Sequence, residues 1–343
     1  MTKTNNSPIW VGIDDGHYAI KGVGTYSQQK FLSRACMGRR GGYLGVGEKD
    51  YSCTYGTDDG DWTVDESLDE YAPTRFDDYP KSALALVFIH HMLRRLQCGG
   101  REVCVVSGLP IGRYYTNSLE ASEGIISAKR DNLLRRSVSI ASQNEEKVAT
   151  IGRHIVIAQG LAMFFDQIMD MQGKPTKAKN GKPSLNQSMA IVDIGGRTLD
   201  CLIVKGGKLT FRETRNLGGM DLEDQVSSAL QEYFDTSEPT PRMRMSAIAT
   251  GICEVRGKQH DVSNIIKKPK DMFADHIVEV VRAVFGTKID DAERLVLGGG
   301  TATHVWNAFH KEWGDFAELI PQAEYANARG MYKFGRFVRG NTK

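Results

Sequence analysis

The residues of this chain best able to do chemistry lie in Ser188–Cys201, SMAIVDIGGRTLDC. An apolar run, Met189 to Val192, leads into Asp193; Gly195 and Gly196 follow, and an apolar run resumes at Leu199. Two apolar runs joined by a short turn holding an Asp and a Gly pair predict a β-hairpin whose tip takes positive φ and admits another group close to its backbone. The N–H groups of such a turn point outward and cradle anions. The carboxylate of Asp193 would repel a bound phosphate unless a divalent cation lay between them. The stretch therefore points to Mg2+ and a nucleotide phosphate. The same pattern also serves ordinary hairpin turns, so other stretches have to decide.

A second stretch has the same layout. In IWVGIDDGHYAIKGVG, residues 9–24, an apolar run enters Asp14, Asp15 and Gly16, and the return strand carries Lys21, whose ammonium can reach a phosphate. Matching Asp15 to Asp193 suggests an internal repeat with one hairpin in each of two domains. Gln159 falls at the end of an apolar strand, His154 to Ala158, just before a helix. A neutral amide there can orient a water without adding charge beside a triphosphate; capping or turn chemistry would use it equally. Gly218 and Gly219 precede a helix, a setting that lets a ribose or base approach closely. Gly298, Gly299, Gly300 and Thr301 lie between a buried strand, Arg294 to Leu297, and the next helix, where nucleotides meet helix N-termini.

The elements that position these residues alternate between strand and helix, the grammar of an α/β protein. The spacing predicts helices over 82–97, 121–136, 162–171 and 324–337, with strands at 29–36, 51–55, 103–106 and 208–215. Gly330 and Met331 read as a close-packing point in the last helix. Lys129, Arg130, Arg135 and Arg136 read as the solvated later turns of their helix. Residues 172–188 carry four lysines and Leu185 as the sole large apolar residue, which predicts a mobile loop belonging to no core. Residues 38–47 form a glycine-rich basic loop, and residues 58–70 hold seven acidic residues in thirteen.

The 343 residues suffice for two domains, and 44 basic against 42 acidic side chains leave a net charge of +2. That balance gives no global reason to expect direct contact with nucleic acid or an anionic membrane. The N-terminal residues lack the apolar core of a signal peptide, and no apolar run approaches membrane-spanning length. The six cysteines contain no C-x-x-C pair and read as reduced thiols of a cytoplasmic protein.

Taken in order, Ile13-Asp14-Asp15-Gly16 with Lys21, Ile191 to Asp200, and Val296 to Thr301 resemble the phosphate-1, phosphate-2 and adenosine motifs of the actin/chaperone/sugar-kinase superfamily. Within it the chain looks most like the bacterial actin-like ATPases of the ParM/StbA plasmid-segregation family. Asp14-Asp15-Gly16, Ser107-Gly108-Leu109-Pro110 and Ala328-Arg329-Gly330-Met331 carry that likeness. The resemblance implies a two-domain actin-like fold, each domain with a βββαβα core and the nucleotide in the interdomain cleft. Domain I would comprise residues 1–160 with a returning C-terminal helix, 323–343, and domain II residues 161–322. It implies ATP or GTP with Mg2+, filaments that hydrolyse their nucleotide and then disassemble, and a centromere-bound adaptor protein that couples filament growth to plasmid DNA.

Carried over by motif, Asp14, Asp15 and Asp193 face Mg2+ through its waters, and Asp193 or Asp15 helps organise the attacking water. Gly16, His17, Lys21, Gly195, Gly196, Arg197 and Thr198 face the phosphates; Gly218, Gly219 and Gly298 to Thr301 face ribose and base. Gln159, or a neighbour, positions the water. His17 stands where a small hydroxyl residue is usual, and either contacts phosphate or points away. Arg197 replaces a Thr or Asn, and either reaches a phosphate or pairs with an acidic neighbour. The alternative within the superfamily is a small-molecule, sugar-type kinase, which needs a catalytic base for which the sequence offers no clearly placed Asp.

Overall fold

The computed structural model describes residues 8–39, 52–140, 146–178, 181–235 and 238–340. Contacts divide the chain into two units, Met1–Leu185 with Tyr325–Lys343, and Asn186–Glu324. From residue 40 onward the glycine-rich stretch 38–47 lies outside the described residues.

The first unit runs β1 (Ile9–Asp15), β2 (Ala19–Val23), β3 (Gln28–Leu32), β4 (Ala35–Met37), β5 (Cys53–Thr57), β6 (Gly60–Val64), α1 (Ala83–Arg95), β7 (Glu102–Leu109), α2 (Ile111–Tyr114), α3 (Glu123–Arg135), β8 (Val138–Ile140), β9 (Thr150–Ala158) and α4 (Leu161–Ile168), and the helix Ala326–Lys333 returns to it. Its main sheet has the order β3-β2-β1-β7-β9, antiparallel through β1 and parallel beyond it. A central strand with a parallel neighbour and helices on both faces is buried throughout. That accounts for β1, which past Ile9 is wholly buried although it ends in two carboxylates. A smaller sheet, β4-β6-β5-β8, completes the unit.

The second unit runs β10 (Met189–Ile194), β11 (Leu199–Lys205), β12 (Lys208–Arg215), α5 (Gly219–Phe234), α6 (Pro241–Thr250), β13 (Ile252–Val255), β14 (Lys258–Asp261), α7 (Ser263–Phe285), β15 (Arg294–Gly298), α8 (Ala302–Trp313) and β16 (Ala317–Leu319). Its sheet order, β12-β11-β10-β15-β16, repeats that of the first unit strand for strand and direction for direction. The sequence repeat is thus a repeat of topology, and each half carries the expected βββαβα core with a fifth strand added.

The repeat is aligned differently from the sequence expectation. In β1–β2, Asp14 pairs with Lys21 and Asp15 with Ile20 ahead of the turn; in β10–β11, Asp193 pairs with Asp200 and Ile194 with Leu199. The residue equivalent to Asp193 is therefore Asp14, and Asp15 corresponds to Ile194. Because strand side chains alternate, Asp14 and Asp15 leave β1 on opposite faces.

The division between units falls after Leu185 rather than at residue 160. Helix α4 stays in the first unit because it is bolted to the returning helix. The guanidinium of Arg329 grips buried Asp166 with Nε at 3.0 Å and Nη2 at 2.7 Å, and Lys333 Nζ donates to Asp166 Oδ1 at 2.7 Å and to the Met169 carbonyl at 2.8 Å. Gly330 lets the two backbones touch: a Cβ built there would lie 1.7 Å from the Ala162 carbonyl oxygen. The segment 172–188 is also less free than expected. It is pinned by bridges Met169–Pro175 and Lys177–Pro183, and Ser184 and Gln187 are buried.

All six cysteines are free and buried. Histidines fill the core of the first unit. His91 Nδ1 lies 3.1 Å from the Tyr55 hydroxyl and His154 Nε2 lies 2.8 Å from Ser107 Oγ. Burial lowers His90 from 6.5 to about 4, and His91 and His154 to about 3. These rings stay neutral in the fold while the unfolded chain takes up protons as pH falls below 6.5. Their contribution is complete above that value and is lost as pH falls toward about 4 for His90 and about 3 for His91 and His154. Three such groups give a slope near pH 5 of about 4 kcal/mol per pH unit, at about 1.4 each. Asp15, raised by burial, acts in the opposite direction and offsets part of it. The urea midpoint should therefore fall steeply between pH 7 and pH 5; equal midpoints would contradict the neutral burial of these rings.

Candidate functional site

In the first unit the site is built where β1, β7 and β9 end side by side. Asp14 leaves the end of β1 and is 7% exposed. Lys21, its partner across the hairpin, places Nζ 3.6 Å from Asp14 Oδ2. The same ammonium overlies the turn, since a Cβ built on Gly16 would lie 3.5 Å from it. Gln159 follows β9, and its Nε2 donates to Asp14 Oδ1 at 2.8 Å. With its nitrogen committed to the carboxylate, the amide presents Oε1 as an acceptor. Gln159 is held there by its own N–H, which donates to the Leu109 carbonyl at 2.8 Å. Asp14, Lys21 and Gln159, distant in sequence, thus form one polar cluster.

The turn beyond Asp15 is anchored through its carbonyls. Ser33 Oγ donates to Gly16 O at 2.7 Å, Thr74 Oγ1 to His17 O at 2.7 Å, and Ser33 N to Tyr18 O at 3.0 Å. Fixing the carbonyls fixes the peptide planes and hence the direction of the amides. Of the two alternatives for His17, the ring docks inward, with Nδ1 2.7 Å from the Thr74 carbonyl and its plane against Tyr79 at 4.8 Å between centroids.

Asp15 belongs to a different environment. It is 5% exposed and forms a buried ion pair with Lys129 of α3. Burial pushes its carboxyl above the ordinary value, and Lys129 pulls it partly back. Lys129 was expected on a solvated helix face and is instead buried. The signal was present: Ile126, Lys129 and Leu133 share one face at helical spacing, so the lysine sits within the apolar stripe.

In the second unit three loops converge. Asp193 ends β10 and is 5% exposed. The turn after it closes on itself, with Gly195 N–H donating to the Thr198 carbonyl at 2.9 Å. Its carbonyls are tied to the other two loops: Gly195 O accepts from Gly219 N at 3.0 Å and from Thr301 Oγ1 at 3.0 Å, and Gly196 O accepts from Met220 N at 2.9 Å. Thr301 N donates to Ile194 O at 3.1 Å. Side chains would not fit between these loops. A Cβ on Gly218 would lie 2.6 Å from Gly196 O, and one on Gly299, whose φ is +95°, would lie 2.5 Å from Asp193 Oδ1.

The expected nucleotide ligands of this unit therefore divide by what their polar atoms do. Gly195 N–H, Gly218 N–H (donating to Asp221 Oδ2 at 2.7 Å), Gly219 N–H and the Thr301 hydroxyl are spent on framing the turn. Gly196, Arg197 and Thr198 are half-buried, with Gly218 packed against the Gly196–Arg197 peptide, and Gly298 and Gly300 flank the Gly299 crossing. Among the described residues no three His, Cys, Asp or Glu side chains gather as a metal cage. Mg2+ is commonly held through its waters by one or two carboxylates and a nucleotide's phosphates, without a protein cage, and each unit offers one buried carboxylate at the matching strand end, Asp14 in the first and Asp193 in the second. No described helix is long and apolar enough to cross a membrane.

Comparison with known proteins agrees with this architecture. Residues 9–164 match the family model of the plasmid segregation protein ParM, N-terminal, and residues 191–311 that of the archaeal actin homologue MreB-like, C-terminal. A sequence search finds no match among curated proteins. Among solved structures, the chain resembles Ta0583, an archaeal actin homologue, at 18% identity and TM-score 0.76, over 96% of this chain and 99% of that one. The same homologue is also known in complex with ADP. A ParM from a 15-stranded Clostridium botulinum filament matches at 16% identity and TM-score 0.75, over 96% of this chain and 99% of that one. At these identities the likeness establishes a shared actin-like fold.

Proposed function

We propose, from the premise that this chain is an actin-like protein whose N-terminal half is of the ParM type, that it is a filament-forming nucleoside triphosphatase that segregates plasmid DNA through a centromere-bound adaptor protein. The observation that carries the reading is the polar cluster of Asp14, Lys21 and Gln159, set at the strand end topologically equivalent to that of Asp193. Charged side chains are buried at matching positions of both halves, beside turns whose carbonyls are already satisfied. A fold has no structural need for that repetition; phosphate and metal binding does.

The nucleotide is ATP or GTP. Lys21 and the turn amides from Gly16 onward take phosphate oxygens, as do Gly196, Arg197 and Thr198 of the second turn. Asp14 and Asp193 would hold Mg2+ through its waters; when bound, it neutralises charge on the phosphates. Gln159 Oε1 accepts a hydrogen bond from the attacking water, while its Nε2, held by Asp14, fixes the direction of attack. Catalysis is then positioning and charge stabilisation, as in other phosphoryl transfers. Gly298 to Gly300 admit ribose and base beside the second turn. A near-balanced net charge fits self-association and an adaptor, with no direct grip on DNA, in the cytoplasm.

The test is steady-state hydrolysis of Mg-ATP at increasing protein concentration, with sedimentation read in parallel. The reading requires both to appear above a shared threshold.

A further inference from the structure

Lys129 is a buried charge that the proposed chemistry leaves unused. It lies on α3, and its ammonium grips Asp15 Oδ2, with both side chains almost fully buried; Asp15 Oδ1 has no hydrogen-bond partner among the described residues. One position along the backbone, on the opposite face of β1, stands Asp14 with Gln159 and Lys21. One position the other way, the turn begins at Gly16. The Asp15 carboxylate is therefore a tether on the last residues of β1: while Lys129 holds it, the backbone that also carries Asp14 is restrained.

We propose that Lys129 is a positioning residue for the nucleotide reaction: by holding Asp15 from behind, it fixes the angle at which β1 presents Asp14 and the turn amides. The inference rests on the triphosphatase reading above. The anchor is itself firmly placed. Asn132 Nδ2, on the same face of α3, donates to the Ser82 carbonyl at 3.0 Å. The α3 backbone at Arg130 meets His154, whose ring also reaches Ser107 Oγ on β7, the strand beside β1. Arg136, just past the helix, pairs with Asp59 at 2.5 Å. Lys129 thus projects from a helix tied at three places. A buried ion pair pays for desolvation and adds little to stability over an apolar pair. What it adds here is a fixed direction for one carboxylate at the end of a strand.

The assignment separates Lys129 and Asp15 from direct metal or phosphate contact, and the test uses that separation. In the full-length D15N/K129M variant both charges go together, so neither is left buried alone. Turnover at saturating Mg-ATP is expected to fall at least tenfold, because small misplacements of reacting groups cost that much. Nucleotide affinity should stay within threefold of wild type, and half-saturation by Mg2+ should not move. Wild-type turnover in a variant with an unchanged melting temperature would overturn the proposal, leaving Lys129 a packing residue. A several-fold rise in the Mg2+ requirement would also overturn it, by making Asp15 a metal group in its own right. Should D15N/K129M lose its cooperative melt, D15L/K129L, which replaces the pair with apolar side chains, carries the same readouts. The wild-type rate keeps the two ideas apart. If the wild-type chain hydrolyses no nucleotide, the triphosphatase reading fails and this inference with it. If it does and the variants match it, this inference alone fails.

Discussion

Replacing Asp193 with alanine is expected to slow nucleotide hydrolysis about a hundredfold, a loss of about 2.7 kcal/mol of transition-state stabilisation. The fold should survive. Asp193 alternates with Ala190, Val192 and Ile194 of the main core of its unit, so its side chain leaves β10 on the other face. The turn beyond it is held by hydrogen bonds from Gly219, Met220 and Thr301, none of which uses the Asp193 carboxylate. Nucleotide binding should persist in part, because the turn from Gly195 to Thr198 keeps its own hydrogen bonds. Subunits that assemble but hydrolyse slowly should give filaments that outlast those of the wild type. Light scattering after a limiting addition of Mg-ATP reads both effects, and wild-type disassembly kinetics in D193A would remove Asp193 from the mechanism.

Replacing Gly330 with alanine should be as damaging to stability as D193A is to chemistry. The added methyl would sit 1.7 Å from the Ala162 carbonyl oxygen, a contact between two helix backbones that no rotamer change relieves. The returning helix must move away from α4, straining the Asp166–Arg329–Lys333 cluster that locks them. Overpacking of this kind costs about 3 kcal/mol or more. Gly124 is the matched control. It lies in the first turn of α3 with nothing within 4 Å of its built Cβ, so G124A should be neutral or stabilising by up to about 1 kcal/mol. Urea unfolding of both variants decides; equal midpoints for G330A and wild type would show that the helices are not in backbone contact.

The features legible in the sequence were those that rest on local spacing. Asp193-Ile194-Gly195-Gly196 and Asp14-Asp15-Gly16 declare hairpins by themselves, and β12 occupies the expected span Lys208–Arg215. The α1 helix follows from its apolar run and is capped by Ser82, which accepts from Ala85 N–H. Gly330 was also readable as a packing point, because a glycine in mid-helix costs stability unless something comes close.

Less legible was anything set by register or by a long-range partner. Which of Asp14 and Asp15 corresponds to Asp193 depends on pairing with Lys21 and Asp200, and a shift of one residue exchanges the two faces of the strand. The unit boundary was misplaced because α4 is held by Arg329 and Lys333, more than 160 positions away along the chain. Gly218, Gly219 and Thr301 carry residue types suited to nucleotide contact, and the sequence does not show that their polar groups also tie the second turn to its neighbouring loops. Those bonds depend on partners distant along the chain.

The most direct measurement is the steady-state rate of Mg-ATP hydrolysis per subunit as protein concentration is raised through the micromolar range, with pelleted protein measured at each point. A nucleotidase activated by assembly should show almost no turnover below a critical concentration, then a steep rise that begins where sedimentable filaments first appear and is absent with ADP. A rate per subunit that is constant across the whole range, with no pelleted protein, would contradict filament-coupled hydrolysis.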